Sequence, residues 1–198
     1  GAGGPGLSAA AVRPGLAFDV AMDRWTTWRV GGHAQRAFTP RTVAELSDFL
    51  AAGEGVPPLV WVGHGSNLLV RDGGITGTVI FTRHLRGLEP AGEGRVRAEA
   101  GVSAPKLARW CADRGLVGAA FLAGIPGTLG GALAMNAGAY GGEIAGVLAA
   151  VETMDAAGGL HRWPPEAFDF AYRHAALPAG HWFIASHLAL TPGGDPEA

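Results

Sequence analysis

Val62-Gly63-His64-Gly65-Ser66-Asn67-Leu68-Leu69 is the stretch on which the fold turns. Two glycines in a tight turn let backbone N–H groups converge without Cβ obstruction, forming a nest that holds anions. Ser66 and Asn67 add side-chain donors of the kind that hold phosphate oxygens. A Rossmann fingerprint would need a third glycine and a helix after the turn. Leu68 occupies that third position, and Leu68-Leu69-Val70 continues as an apolar, strand-like run. A pyrophosphate held here would therefore rest on loop amides and not on a helix dipole. Taken by itself, the turn reads more readily as an ordinary glycine hairpin.

Outward from this turn the elements are short and irregularly ordered. Leu59 to Val62 reads as a buried strand, and Thr78 to Phe81 as another beyond the turn Arg71-Asp72-Gly73-Gly74. Thr42 and Glu45 have the spacing of a capping box, and Val43, Leu46, Phe49 and Leu50 recur at helical spacing, predicting a helix over 43–52. Arg95 to Ala100 alternates like a strand with one wet face. A second helix over 104–114 carries Leu107, Trp110 and Cys111 on one face, with Ser103 as its N-cap. Strands are expected over 147–155 and 159–163, as a hairpin, and over 183–190. Short strands mixed with a few helices, without regular alternation, indicate an α+β fold. A polar turn near Gly92-Glu93-Gly94-Arg95 suggests a division into two lobes.

Gly124-Ile125-Pro126-Gly127-Thr128-Leu129-Gly130-Gly131-Ala132 leads on to Asn136-Ala137-Gly138-Ala139-Tyr140-Gly141, and 124–146 holds eight glycines. Glycines lose the most entropy on folding, so such density fits backbone lying against a flat or charged ligand. Ile125, Leu129, Leu133 and Met135 make the stretch too apolar for a flexible linker. Thr128 to Met135 is expected to form a short helix whose first N–H groups face a phosphate. In Phe168-Asp169-Phe170-Ala171-Tyr172-Arg173, the last two residues offer a donor beside a fixed cation, suited to a carboxylate or a developing enolate. Alone, that pair reads as a surface charge and a core-edge aromatic.

Other signals carry less. Ser103-Ala104-Pro105-Lys106 matches the acyl-serine motif S-x-x-K, but Lys106 is the only lysine, so the K-T-G element of that machinery has no place. The seven histidines show no metal-ligand spacing. Cys111 is alone, which fits a reducing cytoplasmic setting, and its place on an apolar face reads as packing. With 48% apolar and 16% charged residues, the 198-residue chain has the composition of a globular domain. A formal net charge of −2 gives no reason to expect a nucleic acid or an anionic membrane as partner. No apolar run reaches the ~20 residues that span a bilayer, and no signal peptide is recognised. Gly1 to Gly6 reads as a cloning scar or a trimmed tail.

In this order the pieces resemble the UDP-N-acetylenolpyruvoylglucosamine reductase family. Trp25-Thr26-Thr27-Trp28-Arg29-Val30-Gly31-Gly32 is similar to its N-terminal segment, with Thr26 where the family usually has Asn. Gly63 to Val70 matches "G-x-G-S-N-L-L-V", Ala123 to Gly131 matches "A-G-I-P-G-(S/T)-x-G-G", and Tyr172-Arg173 matches "Y-R". The resemblance runs from about Trp25 to Asp195. It implies a fold of the vanillyl-alcohol-oxidase type, two α+β lobes gripping non-covalent FAD: a tail over 1–22, a first lobe over 23–88 and a second over 89–198. The implied cofactor-binding residues are Gly63, His64, Gly65, Ser66, Asn67 and Leu68, then Ala123, Gly124, Pro126, Gly127, Thr128, Gly130 and Gly131, then Asn136, Ala137 and Gly138. Arg173 is the implied catalytic residue, polarising the enolpyruvyl carboxylate, with Tyr172 and Tyr140 lining the substrate site. NADPH is the implied co-substrate and UDP-N-acetylglucosamine enolpyruvate the implied substrate. The family has a third domain after a "P-G-D-P" turn, matched here by Pro192 to Pro196, and the chain is expected to bind FAD without it but to turn over poorly. An FAD-dependent sugar or alcohol oxidase, with His64 as a flavin attachment point, and a non-catalytic binding domain remain as alternatives.

Overall fold

The computed structural model describes residues 12–25, 31–63, 73–139, 141–171 and 174–194. The first lobe comprises β1 (Leu16–Ala21), β2 (His33–Phe38), α1 (Val43–Ala51), β3 (Leu59–Val62) and β4 (Ile75–Phe81). Its sheet runs β1-β2-β4-β3, with β1 antiparallel to β2 and the other neighbours parallel. Helix α1 starts where the capping box places it. Thr42 Oγ1 accepts the Glu45 N–H at 3.1 Å, and the Glu45 carboxylate reaches back to the Arg41 N–H at 2.8 Å. Its buried residues Leu46, Phe49 and Leu50 pack on Phe38 and Ile80 of the sheet, with the Phe38 and Phe49 rings stacked at 4.0 Å.

Strand β1 corrects the expectation of a tail over 1–22. Leu16–Ala21 is an edge strand of the first sheet, paired with β2 from Leu16↔Phe38 to Ala21↔His33. Its sequence concealed this because the burial does not alternate: Phe18 is exposed and Asp19 sits at φ 52°. The strand-like run expected at Leu68 to Val70 lies outside the described residues.

The second lobe opens with β5 (Leu88–Pro90) and β6 (Arg95–Glu99), then α2 (Ala104–Ala112), β7 (Leu116–Val117) and α3 (Leu129–Ala134). Two short strands follow, β8 (Gly138–Ala139) and β9 (Gly142–Glu143), then the hairpin β10 (Leu148–Asp155) and β11 (Leu160–Trp163). The described lobe closes with β12 (Asp169–Ala171), β13 (His174–Ala176), β14 (His181–Ala189) and β15 (Thr191–Pro192). Its main sheet is antiparallel in the order β11-β10-β14-β6-β5. One face, through Val96, Ala98, Val151 and Leu188, packs on Leu107 and Cys111 of α2 and on Leu129 and Leu133 of α3. On the other, Met154, Ile184 and Ala185 share a core with Phe38, Leu46, Phe49 and Ile80 of the first lobe.

The first sheet ends at Phe81 and the second begins at Leu88, so the chain crosses between lobes over 82–87. Gly101 makes that crossing possible. A Cβ there would meet the carbonyl oxygens of Thr82, Leu85 and Arg83 at 2.5, 2.6 and 2.8 Å. The chain after β6 thus lies directly on the crossing.

Candidate functional site

The two glycine-rich motifs come together. A Cβ added to Gly63 would stand 3.4 Å from Thr128 Oγ1. Gly63 follows β3, and Thr128 caps α3, so the meeting point lies between the first sheet and the second lobe. Around it opens a cleft of about 650 Å³, within the range of small-molecule and cofactor sites. Gly63, Gly124, Pro126, Gly127, Thr128, Gly130, Gly131, Ala137 and Gly138 line it. Six of these nine are glycines, so the wall is largely backbone. Thr82 and Thr128 contribute hydroxyls, and no lining side chain among the described residues is charged.

The glycine stretch does not present a helix dipole as expected. The segment entering α3 runs antiparallel to the end of β6 and the start of α2, with an isolated bridge between Ser103 and Thr128. The Leu129 N–H donates to Val102 O at 2.8 Å, and the Gly130 N–H donates to Ala100 O at 3.0 Å. The Gly131 N–H donates to Thr128 Oγ1 at 3.4 Å. These are the first three amides of α3, and all donate within the protein. The segment lines the cleft largely with Cβ-free backbone, packed closely at Gly130, where a Cβ would lie 3.3 Å from Ala100 O and 3.4 Å from Phe183 Cδ1.

Two residues of the expected set stand apart from the lining. Ala123 is exposed outside it. Asn136 is buried with φ 41°, its Nδ2 donating to Glu143 Oε2 at 3.4 Å and its Oδ1 accepting the Ala145 N–H at 3.3 Å. It ties the β8–β9 hairpin to the end of α3, which is work inside the fold. His64, Gly65, Ser66, Asn67, Leu68, Tyr140, Tyr172 and Arg173 lie outside the described residues. Sequence reasoning did not find Trp61, Thr82, Ala100, Leu177, Trp182 and Phe183, which supply the rest of the wall with Val62, Ile125, Ala132, Ala134 and Met135. Trp61 and Trp182 stack with centroids 4.9 Å apart and planes 17° from parallel, one ring from each lobe.

Known proteins agree with this arrangement. The model of the FAD binding domain family matches residues 34–163, which takes in the first glycine turn, the whole of α3 and the β10–β11 hairpin. The chain belongs to the FAD-binding domain family. As an FAD-binding domain it has a close relative in the UDP-N-acetylenolpyruvoylglucosamine reductase of Alkalilimnicola ehrlichii, 54% identical over 173 residues. That match covers 87% of this chain and 58% of the relative, so the chain spans well under two thirds of its length. The solved structure of UDP-N-acetylenolpyruvylglucosamine reductase from Thermus caldophilus superposes with a TM-score of 0.72 at 34% identity, covering 92% of this chain and 64% of that one. An alkyldihydroxyacetonephosphate synthase superposes at 0.63 with 17% identity and shares the fold alone. The α+β fold of the vanillyl-alcohol-oxidase type, expected from the sequence, is the fold observed.

FAD is a long, partly aromatic, dianionic molecule, and the cleft suits it in two ways. Its apolar lining and stacked indoles suit ring systems, and its Cβ-free wall suits a close backbone approach. Cys111 takes no part: burial pushes its thiol up to about 11, despite the opposing charge of Arg114, and leaves it unreactive. No helix among the described residues is long and apolar enough to cross a membrane.

Proposed function

We propose that this chain is the FAD-holding part of a UDP-N-acetylenolpyruvoylglucosamine reductase. The observation that carries the reading is the convergence of Gly63 and the Gly124 to Gly131 segment on one cleft. Bound FAD supplies hydride chemistry between a nicotinamide nucleotide and an electrophilic double bond. The chain's own residues would bind and orient it: the glycine-rich segment from Gly127 to Gly131 would allow a close approach, and the indoles of Trp61 and Trp182 would help to exclude water. NADPH is the hydride source, and UDP-N-acetylglucosamine enolpyruvate is the acceptor, reduced to UDP-N-acetylmuramate for peptidoglycan. In this reading Arg173 binds the enolpyruvyl carboxylate and balances the charge that builds on it, and Tyr172 and Tyr140 are further substrate-binding residues. The setting is cytoplasmic, where NADPH is supplied.

The test begins with colour. Purified protein should show flavin absorbance, or acquire it stoichiometrically with added FAD. After acid precipitation the colour should pass to the supernatant, because nothing in the reading attaches the cofactor covalently. A folded protein that takes up no FAD would overturn the reading. Flavin that stays with the precipitate would favour the oxidase alternative. For the whole enzyme, NADPH oxidation should depend on the enolpyruvyl substrate.

A further inference from the structure

We propose that the guanidinium of Arg83, held over two aromatic rings one residue along the chain from the cleft wall, binds a phosphoryl oxygen of the dinucleotide cofactor. The proposal rests on the FAD reading above and assigns a charge partner that the described lining of the cleft lacks. FAD brings a pyrophosphate with two negative charges, while the described lining holds no cation and the first three amides of α3 are already committed. Thr82 lines the cleft, its Oγ1 hydrogen-bonded to Val62 O, and Arg83 is the next residue.

Arg83 is an anomaly as the structure stands. Its Cζ lies 4.0 Å from the centre of the Trp25 ring and 4.9 Å from that of Phe81, an aromatic cradle for the guanidinium. Its Nη1 is buried with no hydrogen-bond partner among the described residues. No ion pair is formed by Arg83 among the described residues, and its neighbour Arg86 hydrogen-bonds back to the Arg83 carbonyl at 2.7 Å, adding positive charge. Burial first, and then Arg86, lower the proton affinity of the guanidinium. An unpaired charged donor in such a place is costly unless an anion completes it. A phosphoryl oxygen is the acceptor that arginine's planar fork fits best, and the cleft next door is built for a molecule that carries two phosphates.

The experiment compares FAD with riboflavin, which has the same ring system and no phosphate. In wild-type protein FAD should bind more tightly than riboflavin. Arg83→Met keeps the apolar stem over Trp25 and Phe81 but removes the donors. It should weaken FAD by about tenfold to a hundredfold, the scale of one charge-assisted hydrogen bond, and leave riboflavin within about twofold. Arg83→Lys should recover part of the loss. Equal FAD affinity in wild type and Arg83→Met would overturn the proposal while leaving the FAD reading intact. So would equal losses for both ligands, which would make Arg83 a packing residue only. Should Arg83→Met fold poorly, the wild type still answers: FAD should protect Arg83 from an arginine-selective dicarbonyl reagent and riboflavin should not. Modification unaffected by FAD would refute the contact.

Discussion

Gly101 and Gly130 show how differently a missing side chain can matter. Around Gly101 the near atoms are three backbone oxygens of the lobe crossing, at 2.5–2.8 Å from where a Cβ would stand, and none of them can swing aside. Gly101→Ala should therefore destabilise by ~3 kcal/mol, read as a lower denaturation midpoint with unchanged slope. Around Gly130 the neighbours stand at 3.3–3.4 Å and include the Phe183 ring, which can yield. Gly130→Ala should cost under ~1 kcal/mol of stability yet weaken FAD, because the methyl would press on Ala100 and Phe183, which line the same cleft. If Gly130→Ala bound FAD as wild type does, this part of the wall would not be a contact surface. The two titrations together separate a glycine that the fold needs from one that the ligand needs.

At the scale of the element, the three inner strands of the second sheet carry a charge network. Arg97 on β6 donates to Glu152 on β10 at 2.7 Å and to Glu99 at 3.1 Å, and it lies 3.7 Å from Glu89 on β5. His187 on β14 lies 2.7 Å from the same Glu152 carboxylate, and Arg162 on β11 stands opposite Glu152 in the ladder. Burial alone would raise the Glu152 carboxyl, but the hydrogen bonds from Arg97 and His187 outweigh it and hold it below its ordinary 4.5. A carboxyl depressed in the folded state adds stability above its unfolded value and loses it as pH falls through the folded one. Stability should thus drop below about pH 4.5, and Glu152→Gln, less stable at neutral pH, should show a shallower acid limb. A parallel acid limb in wild type and variant would remove Glu152 as its source.

The same scale shows what the sequence disclosed. Helices α1 and α2 were legible because their signals are local: Thr42 and Ser103 cap them, and apolar residues recur at the helical period. The β8–β9 and β12–β13 pairs were not, since each pairs only two or three residues. At Gly142 the constraint is tertiary, for a Cβ there would sit 2.9 Å from the Phe121 ring. The site divided in the same way. Glycine density pointed to the wall from Gly124 to Gly138, but no local pattern tells that Trp182 and Phe183, near the start of the nine-residue strand β14, line the cleft. Nor could spacing tell that Asn136, beside those glycines, is spent on Glu143 and Ala145.

Across the whole molecule the lobes share a core, and that sharing makes a prediction about cooperativity. Met154, fully buried, belongs to the second sheet but packs among Phe38, Leu46 and Phe49 of the first lobe. Ser47 on α1 also donates to Gly158 O at 2.6 Å, tying the first lobe to the β10–β11 turn. Met154→Ala should cost ~2–5 kcal/mol and lower both lobes together. Far-UV circular dichroism and tryptophan emission should then give coincident transitions in wild type and variant. Separate transitions would mean that the lobes hold their structure independently.

Trp61 and Trp182 extend that coupling to the cleft. Trp61 comes from β3 of the first lobe and Trp182 from β14 of the second, and their stack is both an interlobe contact and part of the cleft wall. Indoles are good electron donors at contact distance, so a ring system seated beside this pair should suffer in its emission, and the indoles should lose theirs. FAD binding should therefore quench tryptophan fluorescence, with Trp61 and Trp182 carrying the largest share. Trp61→Phe and Trp182→Phe should each leave bound flavin brighter than in wild type, and each should lose ~0.5–1.5 kcal/mol of interlobe stacking. Trp110, which lies on α2 under the Arg114 guanidinium, is absent from the lining and serves as the control. Trp110→Phe should leave flavin emission unchanged. If the three variants behaved alike, the stack would be a clasp between lobes without contact to the cofactor. If only Trp61→Phe and Trp182→Phe brighten the flavin, the residues that join the lobes also report what the lobes hold.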